Sequence, residues 1–134
     1  MKNQELNGAF VLVDPRLEND PAMGQGRLAM VNYESLDNKV YVSLDTGIEA
    51  VYDPEDLLKL KSKEEMVAAL SDIDPRVSER DYMELYKITL LQDRGTLKSS
   101  GQALQIVQER PQLLDIATEP AFAVKQALEK SYAR

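Results

Sequence analysis

The chain reads as an α+β protein. A small antiparallel β-barrel of four or five strands is expected over residues 1–61, followed by a C-terminal bundle of about four short helices over residues 62–134. Two observations predict this. Residues 8–60 hold four strand-like apolar runs separated by turn signals, and a compact meander of that length suits a small barrel. From Ser62 onward the apolar spacing changes to the helical period.

The first run, Ala9 to Val13, is continuously apolar, which predicts burial on both faces. It ends at Asp14-Pro15, because proline has no N–H to extend a ladder. After a polar loop, Gly26-Arg27-Leu28-Ala29-Met30-Val31-Asn32-Tyr33 forms the second run, and Asp37-Asn38 turns into the third. There Val40, Val42 and Leu44 alternate with Tyr41, Ser43 and Asp45, the period of a strand with one buried face. Ile48, Ala50 and Tyr52 repeat the alternation against Glu49 and Asp53, with Val51 on the polar side. The short connections at 35–38 and 45–47 predict antiparallel hairpins. Asp53-Pro54 has the pattern of an N-cap followed by proline in the first helical position.

Ser62 and Glu65 have capping-box spacing ahead of Met66, Val67 and Leu70. Ser78 and Asp81 resemble a second cap, opening a helix over residues 79–94 that Gly95 stops. Its apolar positions cover more than half the circumference, so it is expected at the centre of the core. A third helix spans about 97–109 and breaks at Pro111. Residues 113–117 suit one helical turn, and Thr118-Glu119-Pro120 is expected to open a last helix carrying Phe122, Val124, Leu128 and Tyr132.

Composition narrows the function classes. The absence of cysteine excludes disulfides, thiolate metal sites and a cysteine nucleophile, and suits a reducing cytoplasm. The absence of histidine removes the usual general base and the commonest transition-metal ligand. The formal charge is −7. Up to Lys61 there are 6 basic and 11 acidic residues, and 10 and 12 beyond it. Neither part has the basic excess that drives phosphate-backbone binding, which disfavours nucleic acid as a partner. No apolar run has a membrane span's length, and the N-terminus has no signal-like segment, so a cytoplasmic protein without membrane contact is expected.

Residues 8–60 resemble an SH3-like small barrel of the KOW/Tudor type. The resemblance rests on Gly8, on Gly26-x-x-Ala29-x-Val31, on Val40-x-Val42, on Gly47, and on Tyr52 followed by Leu57 and Leu60. Ala29 stands where many members have glycine. The resemblance implies a barrel fold and a habit of binding, with loop 14–26 in the place of the family's variable first loop. No family is suggested for the helical part.

Several clusters bear on function. Asp14, Glu18, Asp20 and Asn19 gather hard-cation ligands in one loop, but their spacing matches no calcium loop, so a proline-stiffened solvated loop is the simpler reading. Tyr33, Tyr41 and Tyr52 suggest an aromatic groove, set against ordinary β-propensity. Glu64-Glu65 and Asp53/Asp56 fall at helix N-termini, where the dipole accounts for them without catalysis. Ser99-Ser100-Gly101 has no preceding strand and no histidine to activate it. Arg80, Lys87, Arg94 and Lys98 recur at helical spacing among Glu79, Asp81, Glu84 and Asp93, the pattern of a salt-bridged face.

The resulting expectation is a non-catalytic protein-interaction module without cofactor or metal. Arg16, Glu18, Asp20, Tyr33 and Tyr41 are its candidate binding residues, and a protein is its partner. A KOW-like nucleic-acid-binding role, through the basic helical residues, is the alternative. An enzyme of unrecognised type comes third.

Overall fold

A computed structural model describes residues 8–72, 75 and 77–122. The chain is α+β, with six strands and four helices among the described residues. Strands β1 (Phe10–Val13), β2 (Leu28–Glu34), β3 (Val40–Leu44) and β4 (Glu49–Tyr52) come first. A 3-10 turn (Pro54–Asp56) leads to β5 (Leu57–Leu60). Helices α1 (Lys63–Ser71), α2 (Glu79–Arg94) and α3 (Leu97–Glu109) follow. A 3-10 turn (Pro111–Leu113), the short α4 (Leu114–Ala117) and β6 (Thr118–Pro120) complete the described elements.

The strands run in the order β4-β3-β2-β1-β5-β6. The pairings of β1 with β2 and β5, of β2 with β3, and of β3 with β4 are antiparallel. The described sheet is open, with β4 and β6 at its edges, where the sequence predicts a closed barrel of four or five strands. The added strand is Thr118–Pro120, expected to begin a helix. Proline 120 steers Glu119 toward extended backbone, and β-branched Thr118 suits a pleated surface; the segment accordingly lies extended at the sheet edge. Val124, Leu128 and Tyr132 lie outside the described residues.

The chain divides into two compact units, residues 8–59 with 120–122 and residues 60–119 of those described. The sequence places one boundary, after Lys61.

In the first unit, alternation places Val11, Val13, Ala29, Val31, Val40, Val42 and Leu44 in one apolar cluster with Ala50, Tyr52 and Leu57. Ala121 and Phe122 complete it. Leu12, pointing to the opposite side of β1, is also buried, so the first strand is covered on both faces.

In the second unit the caps follow the sequence. Ser62 and Glu65 form a reciprocal capping box on α1, and the Ser78 hydroxyl accepts from the Asp81 N–H at 3.0 Å on α2. Gly95 ends α2 in the left-handed region at φ 68°. Helix α2 packs between α1 and α3 and buries Leu85, Ile88 and Thr89, but it leaves Tyr82, Met83, Tyr86 and Leu90 substantially exposed. A wide apolar arc therefore does not imply an equally wide buried one. Asp81 in the first turn of α2 accepts from the Arg110 guanidinium at 3.0 Å and from the Gln112 amide at 3.1 Å. No described helix is long and apolar enough to cross a membrane.

Candidate functional site

The loop between β1 and β2 owes its shape to two aspartates. Asp14 accepts from the Arg16 backbone N–H at 2.9 Å and from its guanidinium at 2.8 and 3.1 Å, a local fork that folds the start of the loop. Burial raises the Asp14 carboxyl, but the Arg16 hydrogen bonds and charge prevail and hold it below its ordinary value. Farther along, Asp20 accepts from the N–H groups of Ala22 and Gly24 at 2.9 and 3.0 Å. Leu17 and Ala22 pack against the apolar cluster, fastening the loop to the unit it decorates.

A third bond positions the loop. The Tyr52 hydroxyl donates to Asp20 Oδ2 at 2.6 Å. Burial first, and then this bond and the charge of Asp20, push the Tyr52 phenol well above its ordinary range. Gly24 passes close beside the pair, because a Cβ there would lie 2.9 Å from Leu44 Cδ1 and closer still to the Tyr52 hydroxyl.

Between this loop and the β4 end lies a cleft of about 290 Å³. Leu17, Glu18, Asn19, Asp20 and Pro21 form one wall, and Lys39, Val51, Tyr52, Asp53 and Asp56 the other. Four carboxylates thus face a single cation. That cation is already engaged, since Lys39 Nζ lies 2.5 Å from Asp53 Oδ1. The contact with Asp53 raises the Lys39 ammonium above its ordinary value.

Asp56 registers the remaining imbalance. Burial raises its carboxyl, and the fields of Asp53, Glu55, Asp14 and Asp20 raise it further. The cleft is therefore suited to a positively charged group, which would relieve the repulsion while its apolar stem lay against Leu17, Pro21 and Val51. No group of three or more acidic residues is arranged to hold a metal ion among the described residues.

Of the sequence-predicted residues, Glu18 and Asp20 come together in this cleft. Arg16 is turned to Asp14 and does not line it. Tyr33 and Tyr41 stack on each other with ring centroids 4.6 Å apart and planes 8° from parallel. They line a separate groove with Asn32, Val42, Glu49, Ala50 and Val51. Tyr52 lies buried in the apolar cluster, away from that pair, so the three tyrosines do not form one groove.

The sequence does not mark Lys39, Asp53 or Asp56 as site residues, although all three line the cleft. Asp53 and Asp56 read as helix-start residues, and the closeness of positions 20 and 52 depends on tertiary folding. Comparison with known proteins found no matching family model, curated protein or solved structure.

Proposed function

We propose that the chain is a non-catalytic interaction module whose acidic cleft binds a cationic segment of another protein. The carrying observation is the charge of the cleft, which Glu18, Asp20, Asp53 and Asp56 line together with one lysine that is itself paired with Asp53. A lysine or arginine entering the cleft would gain charge-assisted hydrogen bonds. The loop 14–26, read from the sequence as the candidate binding loop, supplies one wall of this cleft, which supports the reading.

The test is a tagged pull-down from source-cell lysate, with and without nuclease, using the natural chain and the Glu18→Gln/Asp56→Asn variant. The expected result is a stoichiometric protein that survives nuclease and is lost with the variant. Equal capture by the variant would overturn the cleft as the binding surface. Loss of every partner on nuclease treatment would favour nucleic-acid binding.

A further inference from the structure

The exposed face of α2 carries a second chemistry. Met83, Tyr86 and Leu90, spaced by three and four residues, form one ridge along the helix. With Tyr82 they are between 37% and 49% exposed, whereas Leu85, Ile88 and Thr89 turn inward. Arg80, Lys87 and Arg94 are spaced seven apart and flank this ridge on one side, all exposed. Lys87 is shared with Glu84 at 3.3 Å. Arg80 and Arg94 make no ion pair among the described residues. On the other flank Asp93 is engaged by Lys63. The result is an apolar ridge with a basic edge, preceded one turn before Met83 by exposed Glu79, in a chain of net charge −7.

We propose that this face docks an amphipathic helix of another protein, with apolar residues over Met83, Tyr86 and Leu90 and carboxylates toward Arg80, Lys87 and Arg94. Charge complementarity selects this occupant. A second copy of α2 packed antiparallel would set the basic edge of each helix against that of the other. A nucleic acid would satisfy the arginines but leave the methionine and leucine without apolar cover. An anionic bilayer suits helices with basic residues bordering both sides of the apolar face, and here Asp93 and Tyr82 occupy the second side. An acidic helix using the helix-in-groove pattern satisfies both the ridge and its edge.

The proposal is independent of the acidic cleft, and the test separates them. The probe is a fluorescein-labelled three-heptad peptide with leucine at its inward positions and glutamate along one flank. It is titrated by anisotropy with the full chain. Saturable binding is expected, weakening at least about tenfold when lysine replaces the peptide's glutamates. A comparable loss is expected for the Arg80→Glu/Arg94→Glu chain, whose circular dichroism should match the natural protein because both positions are exposed. Glu18→Gln/Asp56→Asn should bind the peptide normally. Absence of binding, equal affinity for the lysine peptide, or preference for phosphatidylglycerol vesicles or a single-stranded oligonucleotide would overturn the proposal.

Discussion

Tyr52 and Asp20, separated by 32 positions, meet through a 2.6 Å hydrogen bond that ties the end of β4 to the β1–β2 loop. Asp20 also takes the Ala22 and Gly24 N–H groups. One carboxylate therefore shapes the loop internally and fixes it against the sheet, so a wall of the cleft depends on a residue that the cleft also presents.

Tyr52→Phe keeps the ring in the apolar cluster and removes the donor. Leaving the partly buried carboxylate one partner short should cost about 1–2 kcal/mol, read from urea denaturation. Amide shifts should concentrate at 17–24, with little change in β2 and β3.

Gly24→Ala tests the close approach directly. The new methyl would collide with the Tyr52 hydroxyl and Leu44, so either those side chains or the loop must shift. A loss of about 1–3 kcal/mol is expected. Partner binding at the cleft should weaken more than in Tyr52→Phe, which leaves room for the loop to stay in place.

Asp56 should make stability depend on pH in an unusual direction for a carboxylate. Its raised folded value means that stability present below the ordinary 3.8 is lost as pH rises through the folded value. Asp56→Asn abolishes that loss. The variant should show a higher urea midpoint than the natural chain at pH 7, and the difference should close as the pH falls below 3.8. A gain in stability joined to a loss of cationic partner would identify the carboxylate as kept for binding.

Asp81→Ala should destabilise the second unit by about 1–2 kcal/mol, because it leaves the partly buried Arg110 guanidinium without its carboxylate. Ser62→Ala, which removes half of a solvent-exposed capping box, should cost about 1 kcal/mol. Thermal unfolding followed at 222 nm would rank the two.

Tyr33→Ala breaks the stacked pair with Tyr41 and should cost about 0.5–1.5 kcal/mol beyond the lost area. Since neither ring lines the acidic cleft, capture of a cationic partner should be unchanged.

What was legible in the sequence was local. Alternation at Val40, Val42 and Leu44 assigned β3 and its buried face, and the Ser62, Ser78 and Gly95 signals set the ends of α1 and α2. Glu18 and Asp20 stand out in their loop from sequence alone, and both line the cleft. The other wall was not legible, because Lys39, Asp53 and Asp56 acquire their place through the turn of β3 into β4 and the following 3-10 turn. The fate of Thr118–Pro120 was hidden for a similar reason. A three-residue segment carries too little periodicity to distinguish a helix start from an edge strand, and the sheet edge decided it.

Ala121 and Phe122 belong to the apolar cluster of the first unit, and the Ala121 N–H donates to the Leu57 carbonyl at 2.8 Å. The residues that close this cluster are thus made after the whole helical unit. During synthesis, β1 to β5 emerge from the ribosome with part of their interior uncovered and must wait about sixty residues for it, some seconds at ordinary elongation rates. A nascent chain stopped before Ala121 should therefore be more sensitive to protease in residues 8–59 than one extended past Phe122.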